Sequence, residues 1–229
     1  MTLYVGTAGW LHHDWRGLLY PHDLPPDEWS ARYADRFAAI EVVADRAAPA
    51  GIVVSRVSTD VPHLRIPGDG PLLLRLTSAV PPHLHLLQQV LDDIPSTVRV
   101  AVELVGAEWA RPEIRAELAA HDAATCWSDR HSRALGPRWR TASWYYLRFH
   151  GSSALTVDQS YGRRTLLDRV TEVASEFEPA ADGYAFFANV ARGAALVDTV
   201  HFAALAEDAG LQPTRVPDRE EVGLNPLVW

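Results

Sequence analysis

A chain of 229 residues, 48% of them apolar, can bury one substantial core, and no Ser/Gly-rich linker, low-complexity run or fixed-period repeat divides it, so one domain is expected. The net charge of −8, from 21 basic residues (all Arg) against 29 acidic ones, counts against a sequence-independent grip on nucleic acid, which needs a basic surface. Cys126 is the single cysteine, which excludes an intramolecular disulfide or a Cys-based zinc site; the opening lacks a basic n-region with an apolar h-region, and no apolar run approaches the roughly 18 residues of a membrane span, so a reducing cytoplasm and no membrane partner are expected.

Leu3 to Thr7 reads as a buried strand ending in the glycine-assisted turn Gly6-Thr7-Ala8-Gly9. The loop that follows, WLHHDWRGLLY, carries Trp10 and Trp15, which either line a pocket or plug the end of the core. His12, His13 and Asp14 do not make a good metal site, because adjacent histidines point apart and no third His follows at ligand spacing. A helix is predicted from Pro25 to about Phe37, with Trp29, Tyr33 and Phe37 as a core stripe. Ala39 to Val43 is a second strand with a carboxylate, Glu41, between apolar neighbours.

Residues 44 to 70 are irregular. Gly51 to Ser58 has strand composition but follows the second strand too closely for a helical crossover, which needs a dozen residues or more. The segment is therefore a hairpin-like departure or a trimmed βα unit. Regular alternation then sets in: a strand over Pro71 to Leu76, a helix over Pro82 to Asp93, and a strand over Val98 to Leu104. In that last strand Val98, Val100 and Val102 face one way and Arg99, Ala101 and Glu103 the other, as in a barrel strand whose branched side meets helices. A helix over Arg111 to His121 and a strand over Ala123 to Asp129 follow.

The most informative stretch is Trp144 to Gly151, WYYLRFHG. With a period of two, Tyr145, Leu147 and Phe149 share one face, and Trp144, Tyr146, Arg148 and His150 the other. Both faces are largely apolar, so the strand is buried on both sides, with its polar residues at the C-terminal end. Burying Arg148 and His150 requires acceptors, and Glu41 is a candidate partner. A helix over Gly162 to Phe177, a strand over Gly183 to Asn189, a helix over Ala194 to Ala209 and a proline-rich strap from Gln212 to Trp229 complete the chain.

Strands alternating with helices imply parallel βαβ units, and a count near seven or eight predicts an α/β, TIM-type (β/α) barrel, incomplete or irregular around residues 44–70. Strand C-termini converge on one mouth of such a barrel, which collects Thr7, Glu41, Arg75, Glu103, Asp129, Arg148, His150 and Asn189.

Several motifs, in order, carry a resemblance to a known family. They are Gly6-Thr7-Ala8-Gly9-Trp10, Trp15-Arg16-Gly17, Tyr20-Pro21, Leu24-Pro25 with Trp29 and Tyr33, and Ile40-Glu41-Val42. Val100-Ala101-Val102-Glu103 with Trp109, Trp127-Ser128-Asp129, Leu147-Arg148-Phe149-His150-Gly151, Tyr161, and Phe187 with Asn189 continue the series. Together they resemble the domain-of-unknown-function 72 family, the YecE-like proteins, everywhere except residues 44 to 70. The resemblance implies a TIM-type barrel and no established reaction; likeness of some members to metal-dependent endonucleases and sugar isomerases is analogy of fold. It also marks departures. The family's segment after the second strand is shortened, its Glu-x-Arg-His becomes Glu103-Leu104-Val105-Gly106, and its paired Asn becomes Ala188-Asn189.

Three readings follow. In the first the chain is an enzyme: Glu41 and Glu103 are acid/base carboxylates or metal ligands, His150 a general base or ligand, Arg148 an anion clamp, and Thr7, Trp10, His12, Arg75, Asp129 and Asn189 bind substrate, with Asn189 a donor to developing negative charge. Metal-assisted or acid/base hydrolysis or isomerisation of a phosphate- or sugar-bearing small molecule fits that set, with a divalent metal as a candidate cofactor. In the second, Arg148 and the aromatic loop hold an anionic ligand or single-stranded nucleic acid without catalysis. In the third, Arg148, Glu103 and Asp129 are a structural ion network in a degenerate barrel.

Overall fold

The computed structural model describes residues 2–43, 46–58, 70–77, 84–131, 133–151 and 160–224. Eight parallel strands close a ring in the order β1 (Leu3–Ala8), β2 (Ala39–Val43), β3 (Val53–Ser58), β4 (Leu72–Leu76), β5 (Val100–Leu104), β6 (Ala124–Arg130), β8 (Tyr145–Phe149) and β9 (Gly183–Phe187), with β9 paired back onto β1. The two-residue β7 (Arg133–Ala134) lies antiparallel on the end of β6, outside the ring. Helices α1 (Trp29–Arg36), α2 (Leu84–Asp93), α3 (Pro112–Ala120), α4 (Arg163–Glu176) and α5 (Ala194–Asp208) form the jacket.

The region expected to be irregular does not interrupt the ring. β3 runs parallel to β2 and to β4, aligning Glu41 with Ser55 and Val57 with Leu73. That settles the choice left by the sequence in favour of a trimmed unit: residues 46–52 hold no helix, and the strand stays in the barrel. The connection from β3 to β4, and the start of the helix placed at Pro82, lie largely outside the described residues.

Strand parity divides the core as the alternation of side chains requires. Leu3, Val5, Ile40, Trp127, Tyr145, Leu147, Phe149 and Phe187 pack outward against α1, α4 and α5. Leu72, Leu74, Val100, Val102 and Leu104 pack outward against α2 and α3. The lumen is filled by Ala39, Leu73, Ala101, Ala124, Cys126, Tyr146 and Phe186. Its floor is aromatic: Tyr4 stacks on Tyr184 at 5.0 Å, Trp144 meets Tyr184 edge-on at 5.6 Å, and the Arg99 guanidinium lies over both Trp144 and Tyr184 while bonding Asp182 at 2.9 Å. A floor sealed in this way leaves the opposite, C-terminal end as the open one.

The Trp29, Tyr33 and Phe37 stripe is fully buried, and Trp15 joins it, its indole N–H donating to the Val190 carbonyl at 3.1 Å. The proline-rich tail, described to Leu224, straps the start of β1: Leu3 N–H donates to the Gln212 carbonyl and Thr214 N–H to the Leu3 carbonyl. Among the described residues no helix is long and apolar enough to cross a membrane.

Candidate active site at the barrel mouth

Five of the mouth residues converge in the lumen. β2 supplies Glu41, β4 Arg75, β5 Glu103, and β8 both Arg148 and, one residue past its end, His150. Arg148 is gripped from two sides. Its Nε donates to both Glu41 oxygens at 2.9 and 3.0 Å, one Nη lies 2.8 Å from Glu41, and the other donates to Glu103 Oε2 at 3.2 Å. The Tyr146 hydroxyl donates to Glu41 Oε2 at 2.8 Å and lies 2.7 Å from Ser55 Oγ. Glu41 and Glu103 are 1% and 0% exposed, so this is a desolvated pairing in which each charge depends on its neighbours.

Glu103 is the branching point. Its second oxygen also accepts from Arg75 Nε, and its first lies 2.7 Å from His150 Nε2. Burial alone would push this carboxyl up; the His150 hydrogen bond and the positive charge of Arg148, His150 and Arg75 outweigh it and hold Glu103 well below the usual glutamate range. His150 Nε2 is also 3.3 Å from an Arg148 Nη. A single ring nitrogen cannot both donate to the carboxylate and accept from the guanidinium. The shorter contact, to an ionised acceptor, assigns the proton to Nε2 and leaves Nδ1 with the lone pair. Burial lowers the basicity of Arg148, yet Glu41 and Glu103 overcome it and raise its pKa, so it stays charged. Below this layer, burial pushes the Cys126 thiol well above its ordinary value, which makes it unfit as a thiolate nucleophile.

The His150 backbone is held from behind the barrel wall. His150 N–H donates to the Asp129 carbonyl at 3.2 Å, Gly151 N–H to the Tyr161 hydroxyl at 2.9 Å, and His131 N–H to the Gly151 carbonyl at 2.7 Å. Gly151 has φ +125°, a conformation that a side chain disfavours, so the turn straight after His150 calls for glycine.

The remaining candidates do not enter the lumen. Thr7 donates its hydroxyl to the Gly9 carbonyl and its N–H to Tyr33, on the jacket side. Asp129 accepts from the Tyr161 hydroxyl and lies 3.8 Å from Arg169 of α4. Burial raises its pKa against the opposing influence of Tyr161 and Arg169. Asn189 donates to Asp198 of α5 at 2.6 Å, and Asp198 in turn accepts from Tyr161 N–H. Trp10 packs against the outer core, its carbonyl accepting from the Tyr20 hydroxyl. His12 packs at a tilt against Trp15, ring centroids 4.5 Å apart, with Nε2 on the Ala8 carbonyl; burial lowers its pKa, so the neutral form is favoured.

Ser55, Ser128 and Tyr146, which the sequence did not single out as site residues, also belong to the site. Ser128 is in register with Arg148 and faces the lumen, as do Cys126 and Ala124 before it. In β2, β5 and β6 the residue two places before the lumen-facing polar group is small (Ala39, Ala101, Cys126), while β4 and β8 carry the larger Leu73 and Tyr146 there; Thr7, Asp129 and Asn189 follow Val5, Trp127 and Phe187 of the jacket side.

A divalent metal does not fit this donor set. Three oxygens of Glu41 and Glu103 already accept from Arg148, the fourth from His150, and an ion would have to displace that guanidinium. Among the described residues no three His, Cys, Asp or Glu side chains gather as metal ligands.

The model of a family described as "Protein of unknown function DUF72" matches residues 4–44 and 55–221. No curated protein matches the chain. A DUF72 family protein of Thermotoga maritima superposes with a TM-score of 0.69 at 19% identity, covering 90% of this chain and all of its own. One from Enterococcus faecalis does so with a TM-score of 0.64 at 12% identity, covering 90% of this chain and 95% of its own.

Proposed function

The chain belongs to the DUF72 family of proteins of unknown function, and within that family we propose that it is an acid/base enzyme, hydrolysing or isomerising a phosphate- or sugar-bearing small molecule at the C-terminal mouth of the barrel. The observation that carries this is the contact of 2.7 Å between His150 Nε2 and a fully buried Glu103. A buried carboxylate fixes the imidazole tautomer and stabilises the imidazolium that forms when Nδ1 accepts a proton. Glu103 is suited to that supporting role because its own proton affinity is low. Arg75, 23% exposed, sits at the solvent side of the same carboxylate. Arg148 and Glu41 grip each other, Glu41 also accepting from Tyr146 and Arg148 also donating to Glu103, and form the rigid base on which the pair stands.

The test is turnover of a panel of sugar phosphates and phosphate monoesters by the wild type, by His150→Gln and by Glu103→Gln. Loss of the general base is expected to lower the rate by about 10²- to 10⁴-fold, and loss of its support by a smaller factor. Turnover that survives undiminished in His150→Gln would remove His150 from the chemistry. The saturated Glu41–Arg148 half gives one specific ground for a second reading, a purely structural network; under it neither variant changes any turnover.

A further inference from the structure

Two groups at the mouth have hydrogen-bonding capacity that the described residues leave unused. Arg75 contacts Glu103 through Nε, while its two Nη groups have no acceptor among the described residues and its side chain is 23% exposed. Ser128 is 3% exposed, faces the lumen beside Arg148, and its hydroxyl has no hydrogen-bond partner among the described residues. Buried hydroxyls are nearly always bonded, and one left open at the mouth of a barrel is a donor held ready for something else. Arg148 cannot serve in its place, because Glu41 and Glu103 already take its guanidinium on both sides.

We infer that the Arg75 Nη fork and the Ser128 hydroxyl form an oxyanion subsite for a phosphate group, entered from the mouth. The charges of the layer agree with this. Glu41 and Glu103 offset Arg148 and Arg75, so the lumen carries no excess negative charge to repel an anion, and the guanidinium edge turned toward solvent is the positive end of the arrangement. A planar fork matches two phosphate oxygens, and a hydroxyl from another strand suits a third that leaves their plane, which favours a tetrahedral group over a carboxylate. Both donors lie on strands of the same half of the ring, β4 and β6, with Glu103 of β5 between them. The inference rests on the acid/base reading only in making this phosphate part of a substrate.

The experiment is thermal unfolding and ³¹P line broadening with millimolar inorganic phosphate, against chloride and acetate at equal ionic strength. Phosphate is expected to raise the melting temperature where the other two do not. Ser128→Ala removes a hydroxyl that none of the described residues uses, so its melting temperature without phosphate should equal or exceed that of the wild type, while phosphate affinity falls about tenfold. Arg75→Gln should lose the response. A wild type indifferent to phosphate, an equal response to acetate, an unaltered affinity in Ser128→Ala, or a destabilised Ser128→Ala would each overturn the inference. His150→Gln separates it from the catalytic reading: phosphate binding should persist in that variant while turnover is lost.

Discussion

Two buried polar clusters lie on opposite sides of the same barrel wall and hold their carboxylates in opposite ways. In the lumen, Glu103 meets Arg148, Arg75 and His150, and is kept ionised well below the ordinary glutamate range despite burial. Behind the wall, Asp129 meets Tyr161 and a more distant Arg169, and burial wins: its pKa rises. The inner cluster opens to solvent through Arg75 and His150, whereas the outer one is enclosed by α4 and α5. One holds charge at the solvent side of the lumen; the other fixes the backbone that presents His150. Both stand at strand C-termini, and the direction in which the side chain points decides which role is open to it.

The contrast is broken most severely by removing the shared cation. Arg148→Met leaves Glu41 and Glu103 buried without their main counter-charge and should cost about 3–5 kcal/mol. For a domain of this size that is a melting point lower by roughly 6–20 °C in calorimetry. A change of only a degree or two would mean that water reaches these carboxylates.

On the outer side, Tyr161→Phe removes the donor to Asp129 and the acceptor for Gly151 N–H together, at about 1–3 kcal/mol by denaturant unfolding. Because Gly151 follows His150, turnover should fall as well. A loss of stability with kinetics untouched would confine Tyr161 to packing.

The acid side of the stability curve sharpens the difference in sign. Glu103 binds its proton less tightly folded than unfolded, so its ionisation contributes stability that is full above its ordinary value of 4.5 and drains as the pH falls below it. Asp129 binds its proton more tightly folded, so its contribution is present below its ordinary value of 3.8 and is lost as the pH rises through its raised one. Urea titrations from pH 6 to pH 3 should therefore show a shallower acid loss in Glu103→Gln and a steeper one in Asp129→Asn. Slopes that move the same way would erase the distinction between the clusters.

Much of this was legible in the sequence. The WYYLRFHG alternation placed Tyr146, Arg148 and His150 on one buried face, and Glu41 was identified as a partner for the buried cations; both features are present in the structure. The trimmed unit around β3 was legible as composition but not as topology, since a short connection alone does not decide between antiparallel and parallel pairing. Thr7, Asp129 and Asn189 were assigned to the mouth because they sit at strand ends, which fixes their height along the barrel and says nothing of the side they face. Ser128 was passed over beside its charged neighbour. The parity of the buried positions along each strand sorts all four, because Val5, Trp127 and Phe187 share the jacket face with Thr7, Asp129 and Asn189, whereas Cys126 shares the lumen face with Ser128. The hold of Tyr161 on Gly151 and of Asp198 on Asn189 depends on how α4 and α5 pack, and no local pattern encodes that.

The central claim is that Glu103 fixes the tautomer of the His150 imidazole, with the proton on Nε2 and the lone pair on Nδ1. Two-bond ¹H–¹⁵N correlation spectra of the imidazole rings at pH 8, with His150 assigned from the His150→Gln variant, measure it directly. The account predicts a protonated Nε2 and an unprotonated Nδ1, with the tautomer preference lost in Glu103→Gln. A proton on Nδ1 with Nε2 bare would contradict it.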